Sequence, residues 1–294
     1  MNYNKWFKLN TCSLRGKTVA ISGATGGIGR ELCRHYAKLG ANILTLDRNS
    51  PRSLVLCDEL KAEFPELKTS HLNLDLEDAS SVIKVTEELI KDPPDYLILN
   101  AGAYHIPRKR CSTDYGNVFQ INFVSPYYRA KKLMPEICKK GGNIVAVGSI
   151  AHRYSKADKL DVDFSTRTKS SLVYGNAKRY LMYSLFALNC ENVNIAHPGI
   201  TFTNITAHYP KLIFAIIKHP MKIIFMKPKK ACLSIIKATF EKGKDNFWIG
   251  PRIFDVWGKP KASFIKPISS KEAEIILETA KKSFDKMENF KITL

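Results

Sequence analysis

The chain has 294 residues, 45% of them hydrophobic, which is enough for a large core and suits one domain of the α/β class. Its 46 Lys and Arg against 27 Asp and Glu leave a net charge of +19, a field that draws nucleic acid, anionic lipid or an anionic cofactor without choosing among them. Zinc-type Cys and His spacing and an RNA-recognition aromatic strand pair are both missing, which argues against a nucleic-acid partner and a metal site. The seven cysteines stand singly, with no C-x-x-C pair, as suits a reducing cytoplasm.

Residues 1–14 carry Trp6 and Phe7 between Lys5 and Lys8, with no long apolar stretch or small-residue cleavage site. They are expected to form a short surface arm rather than a secretory signal, ahead of a single domain over 15–294. A strand signal at Val19–Ser22 then runs into Ser22-Gly23-Ala24-Thr25-Gly26-Gly27-Ile28-Gly29 and a helical stretch, Arg30–Leu39. Strand, glycine turn and helix in that order make a dinucleotide site. Gly23 permits the turn, Gly27 lets backbone approach a pyrophosphate, Gly29 lets helix pack on strand, and the helix N-terminus offers unpaired N–H groups.

The second strand, Asn42–Leu46, ends in Leu46-Asp47-Arg48, about twenty residues after the turn, where a carboxylate can accept both ribose hydroxyls of NAD. Asp47 is therefore the expected ribose ligand, with capping of the next element through Asn49 or Ser50 as its structural alternative. Arg48 can receive a 2′-phosphate, so NADP stays open. A third strand, Ser70–Leu74, leads to Asp75 and Leu76, placing a carboxylate near an adenine amino group. After a helix at Asp78–Lys91, the fourth strand, Tyr96–Leu99, ends in the small residues Asn100-Ala101-Gly102. Both positions fit the rule that ligands lie beyond the carboxyl ends of parallel strands, and each also fits turn chemistry.

A long helix, Val118–Cys138, carries Asn122 among apolar neighbours, where a buried amide needs a reason. The strand Asn143–Val147 ends at Gly148-Ser149, setting a hydroxyl where it can hydrogen-bond a substrate carbonyl. On the helix Leu172–Leu188, Tyr174 and Lys178 are four apart and share one face. An ammonium there is expected to lower the phenol from about 10 toward working pH and make Tyr174 a general acid and base. With a last strand at Val193–Ala196, the apolar runs are continuous and separated by crossover helices. The fold expected is a doubly wound, Rossmann-type α/β domain with a parallel sheet and helices on both faces.

Together these residues resemble the short-chain dehydrogenase/reductase family, from Gly16 to about Thr203. The family's glycine motif matches Gly23, Gly27 and Gly29, with Ser22 where Thr is usual; its Asn-Ala-Gly matches Asn100 to Gly102. Its Asn-Ser-Tyr-Lys tetrad matches Asn122, Ser149, Tyr174 and Lys178, and Pro198-Gly199 with Thr203 matches the segment that closes over nicotinamide. The resemblance implies that Tyr174 exchanges the proton, Ser149 orients the oxygen, Lys178 binds nicotinamide ribose, Asn122 supports a water relay, and hydride passes directly to or from nicotinamide. The implied cofactor contacts are Ser22, Gly23, Thr25, Gly27, Ile28, Gly29, Asp47, Arg48, Asp75, Leu76, Asn100, Ala101, Gly102, Tyr174, Lys178, Pro198, Gly199 and Thr203.

An insert between Ser149 and Tyr174, with Ala151-His152-Arg153 and Leu160-Asp161-Val162-Asp163-Phe164, resembles the retinol dehydrogenase-like branch; His152 there is expected to pack or cap rather than act as acid or base. Residues 205–230 fall where the family forms its substrate lid. Lysines there alternate with apolar groups and Pro220 interrupts, so a lid over a lipophilic substrate and contact with an anionic membrane surface are expected, but no spanning helix. The tail, with Trp248-Ile249-Gly250-Pro251, Trp257-Gly258-Lys259-Pro260 and a helix at Ser270–Met287, is expected to anchor to the core. The reading is a cytoplasmic NAD- or NADP-dependent oxidoreductase, membrane-associated through the lid. By resemblance it forms a homodimer or tetramer through the helices Val118–Cys138 and Leu172–Leu188. The alternative is a non-catalytic dinucleotide-binding regulator or membrane-surface adaptor with the same fold.

Overall fold

The computed structural model describes residues 3–200 and 226–292. Eight strands form one sheet in the order β3-β2-β1-β4-β5-β6-β7-β8. They are β1 (Thr18–Ser22), β2 (Asn42–Asp47), β3 (Thr69–Asn73), β4 (Tyr96–Leu99), β5 (Asn143–Val147), β6 (Val193–Ala196), β7 (Phe247–Ile253) and β8 (Trp257–Phe264). All neighbours run parallel except the β7–β8 hairpin. The chain winds outward from β1 to β3, then restarts at β4 on the other side of β1. Loops leaving β1 and β4 therefore diverge and open a crevice at the carboxyl edge.

Alternation along the strands splits the core into two layers. Leu44, Leu46, Leu97, Leu99, Ile144 and Ala146 face one side, with α4 (Ala79–Lys91), α6 (Ser125–Lys139), α7 (Ser170–Phe186) and α9 (Ser270–Ile292). Val19, Ile21, Ile43, Ile98 and Val145 face the other, with α2 (Gly27–Lys38), α3 (Ser50–Glu63) and α8 (Pro228–Phe240). Because both faces are covered, the strands read as unbroken apolar runs; each such side chain fully buried contributes about 1.5–3 kcal/mol.

Several expectations are corrected. The N-terminal arm is a helix, α1 (Tyr3–Asn10), whose Trp6 and Phe7 are buried. Tyr3 and Phe7, four apart, stack at 5.6 Å and meet the ring of His35 on α2, so the helix has an apolar face to bury. The helix expected over Val118–Cys138 is interrupted: α5 (Asn117–Phe119) passes through a π-helical turn, Gln120–Val124, into α6. The two tryptophan segments of the tail lie in β7 and β8, where Pro251 and Pro260 face each other across the outer pair of strands. Trp248 is only 1% exposed and does anchor the tail.

The expected lid lies mostly outside the described residues, as do Lys211, Lys218, Lys222 and Thr203. At its described end Met226 is buried while Lys227, Lys229 and Lys230 are exposed; past it, α8 packs Cys232, Leu233, Ile235 and Ile236 inward. Among the described residues no helix is long and apolar enough to cross a membrane. α9 lies across α6 and α7, the helices through which pairing was expected. Tyr128 and Lys132 on α6 bond Glu288 at 2.7 and 3.1 Å, and Arg179 on α7 makes a two-pronged pair with Glu272 at 2.6 and 2.8 Å.

Candidate active site

The glycine turn is shaped by what a side chain would strike. Gly23 has φ +68, and a Cβ there would lie 2.9 Å from the Ala101 Cα; a Cβ on Gly29 would lie 2.0 Å from the Gly23 carbonyl oxygen. α2 begins at Gly27, earlier than the sequence suggests, and its N-cap Gly26 supplies no side-chain cap. The first-turn N–H groups, Gly27 to Gly29 with Ile28 between, are thus left for an anion. A cleft of about 340 Å³ opens beside the turn, lined by Gly23, Thr25, Asp47, Arg48, Asp75, Leu76, Ala101 and Gly102 among others.

Ser22 and Asn100 do not line this cleft; their side chains hold its walls together. Ser22 Oγ accepts the N–H groups of Asn100 and Ala101 at 3.1 and 3.2 Å, and Asn100 Nδ2 donates to the Ser22 and Gly23 carbonyls at 3.0 and 3.1 Å. Asp47 is 7% exposed and accepts from Thr25 Oγ1 at 3.1 Å and Ser53 Oγ at 3.0 Å. Capping of α3 falls instead to Asn49, whose side chain accepts from Arg52 N–H. The Asp75 carboxylate accepts the Glu77 N–H at 2.9 Å, which is turn chemistry, whereas the Leu76 carbonyl accepts from Ser125 Oγ on α6 at 2.7 Å.

Of the four other candidates, Asn122 and Lys178 converge on Gly102, a residue of the cleft wall, and Tyr174 lies beside Lys178 and Ser149. Asn122 sits in the π turn, a helix defect often found at functional sites, with Nδ2 donating to the Ala103 and Val118 carbonyls at 2.7 and 2.8 Å. Its Oδ1 lies 2.8 Å from where a Gly102 Cβ would stand, and Lys178 Nζ lies 3.7 Å from that same point. Lys178 Nζ donates to the Val147 carbonyl at 2.8 Å and stands 5.7 Å from the centre of the Tyr174 ring. Ser149 follows β5 and caps a short 3-10 turn, Ile150–Arg153.

The electrostatics differ from the expectation that Lys178 draws the phenol down. Burial pushes Tyr174 up to about 12, with the Ser149 hydroxyl beside it pulling the other way. Burial also lowers Lys178 to about 8. Desolvation outweighs the charge because the ammonium is itself withdrawn from water and turned toward a backbone carbonyl. Tyr174 is thus a firmly protonated phenol at neutral pH.

Sequence reasoning missed the parts that hold this group together. A Cβ on Gly175 would lie 2.3 Å from the Ala151 carbonyl oxygen, so only glycine lets α7 close onto the turn that carries Ser149. Tyr104 meets the Tyr174 ring edge-on at 5.4 Å. Arg179, one turn beyond Tyr174, donates to the His152 carbonyl at 2.8 Å, while His152 Nδ1 bonds the Ser149 carbonyl at 2.7 Å. Burial lowers His152 to about 4, so it stays neutral and packs against Trp248, as expected of a structural histidine. The insert is pinned by Asn176 Nδ2 to the Val162 carbonyl at 2.7 Å and by Asp163 to the Gly116 N–H at 2.7 Å. Beyond β6, buried Pro198 and Gly199, with φ +81, line up beside the hairpin; a Gly199 Cβ would lie 2.7 Å from the Val256 carbonyl oxygen.

Residues 17–159 match the family model for short chain dehydrogenase. The chain is 31% identical over 196 residues to a short chain dehydrogenase of Aspergillus nomiae, covering 60% of this chain and 53% of that one. It is 28% identical over 215 residues to retinol dehydrogenase 14 of Mus musculus, covering 66% and 64%. The chain therefore spans about half the length of the first and just under two thirds of the second. In fold it is similar to an uncharacterised protein of Mycobacterium paratuberculosis, with a TM-score of 0.74 at 19% identity, covering 95% and 96% of the two chains. Residues 17–159 are thus similar to short chain dehydrogenases, and a longer stretch of the chain is similar to a retinol dehydrogenase.

Proposed function

We propose that this chain is an active NAD(P)-dependent oxidoreductase interconverting a hydroxyl and a carbonyl on a lipophilic molecule, such as a retinoid, a steroid or another lipid-like alcohol or ketone. One observation carries the reading. Asn122 Oδ1 and Lys178 Nζ converge on Gly102, and Gly102 also lines the glycine-walled cleft. The cradle fits a dinucleotide, since a Cβ at Gly23, Gly29 or Gly102 would collide with its walls. The α2 N-terminus and Gly23 to Gly29 would hold the pyrophosphate, Asp47 the adenosine ribose, and Lys178 the nicotinamide ribose, with Pro198 and Gly199 over the ring.

When bound, nicotinamide supplies or takes the hydride at the substrate carbon. In reduction, the phenol of Tyr174 gives its proton to the carbonyl oxygen, and Ser149 Oγ holds that oxygen as negative charge develops. The raised Tyr174 phenol suits the donor role at neutral pH. Asn122 is a positioning residue: its amide clamps the backbone at Ala103, beside Gly102.

Asp47 favours NAD, because a 2′-phosphate would sit beside a buried carboxylate. A second reading, NADP, is favoured by Arg48 and Arg52 lining the same cleft. The lipophilic substrate is supported by the mouse relative's name and by the apolar 205–230 segment, whose lysines suit a chain working at an anionic membrane surface from the cytoplasm. Fluorescence titration with NADH and NADPH, followed by turnover of lipophilic aldehydes and ketones, tests the reading. Tighter NADH binding with turnover is expected; binding of neither cofactor overturns it.

A further inference from the structure

The β7–β8 hairpin ends in a turn whose shape is at odds with its residues. Phe254 and Asp255 occupy its centre with φ +50 and +58, and the Val256 N–H closes it onto the Ile253 carbonyl at 2.9 Å. Two successive residues at positive φ are what a type I′ hairpin turn requires, and Asn-Gly is the pair that adopts it without strain. A phenylalanine there is strained by its Cβ. Nor does burial compensate, since Phe254 is 84% exposed, Ile253 48% and Trp257 37%. The turn thus spends stability to hold an aromatic ring in water.

Its place in the molecule says what the ring is for. β7 runs parallel to β6, so the turn projects from the carboxyl edge, the edge that carries the candidate active site. Asp255 is tied at 2.8 Å to Arg153, four residues after Ser149, and the Val256 carbonyl abuts Gly199. The hairpin's exposed charges are Arg252, Lys259 and Lys261, while its one acid, Asp255, is paired to Arg153. An exposed aromatic and aliphatic tip with Trp at its base and cations behind it matches the depth order of an anionic bilayer interface: acyl boundary, headgroup, phosphate.

We propose that the tip Ile253–Trp257 inserts into an anionic membrane surface and sets the active-site mouth against it. The inference rests on the proposed lipophilic substrate, which would then reach the cleft from the bilayer. Docking through the tip is separable from the undescribed 201–225 segment, because it makes single-residue predictions.

The test is co-sedimentation of the purified chain with phosphatidylcholine vesicles, with and without phosphatidylserine, alongside thermal melting. The wild type is expected to bind the phosphatidylserine vesicles, and high salt to weaken binding. Phe254→Asn is expected to lower the partition coefficient about tenfold, the scale of withdrawing one phenyl ring, while the melting temperature holds or rises because Asn tolerates the left-handed region. Phe254→Trp is expected to keep binding and to be quenched by bromine on the acyl chains. Equal binding by wild type and Phe254→Asn overturns the tip while leaving a membrane-facing lid intact. No vesicle binding by the wild type overturns the proposal, and the cofactor titration then decides separately whether the oxidoreductase reading survives. Self-association that Phe254→Asn abolishes, without vesicle binding, overturns it in favour of a protein partner.

Discussion

The two halves of the carboxyl edge are built in opposite ways. Around β1, β2 and β4 the cleft is made by small residues and direct bonds among neighbouring strand ends and the turns that follow them: Gly23 against Ala101, Ser22 against Asn100, Asp47 against Thr25 and Ser53. Around β5 and α7 the arrangement depends on remote parts of the chain. Arg179 reaches Glu272, 93 residues on, and Trp248 of β7 packs on His152 and stacks on His197 at 4.9 Å. The glycine-walled cleft is held by contacts among adjacent strand ends, whereas the group around Ser149 and Tyr174 is braced by the tail of the chain, from β7 and α9.

The contrast can be broken first on its remote side. Glu272→Ala leaves the Arg179 guanidinium buried without its carboxylate and is expected to cost about 3–5 kcal/mol by denaturant unfolding. Turnover is expected to fall further than cofactor affinity, because the bond to the His152 carbonyl loosens with it. On the cleft side, Gly23→Ala meets both a left-handed φ and the Ala101 Cα, and is expected to cost about 1–2 kcal/mol and to weaken cofactor binding at least tenfold. Ser22→Ala, which strands the Ala101 N–H and leaves the Asn100 N–H only the Ile98 carbonyl, is expected to cost about 1–3 kcal/mol with a smaller loss of affinity.

Acid should sharpen the same distinction. Burial lowers His35, His152 and His197 from 6.5 to about 4. Between those values the unfolded chain binds protons that the folded chain refuses, so the stability they contribute is full above about pH 6.5 and is lost as pH falls toward 4. His152 and His197 both flank Trp248 beside the Ser149 turn. Replacing them with Gln is expected to flatten the acid limb of a melting-temperature profile from pH 7 to 4, whereas an unchanged limb contradicts the assignment.

What the sequence disclosed follows the same division. Six of the seven parallel strands, β1 to β6, and most of their helices were legible because continuous apolar runs and helical spacing are local signals, and the Tyr174–Lys178 pair was legible as one helical turn. β7 and β8 were hidden because Gly250, Pro251, Gly258 and Pro260 imitate turn chemistry. α1 was hidden because eight residues carry too little periodicity. Gly175 was in plain view inside the motif, but its reason is the Ala151 carbonyl on another element. The phenol's direction was misjudged because a charge four residues away is visible in sequence, while the burial that outweighs it is not.

Tyr174→Phe tests the central claim most directly, with single-turnover kinetics and cofactor titration run on the same preparation. Removal of one hydroxyl is expected to lower turnover by about 10²–10⁴-fold while cofactor affinity stays within a factor of about two. Turnover equal to that of the wild type would contradict the account and pass the donor's role to another phenol beside the site, such as Tyr104, which meets the Tyr174 ring edge-on.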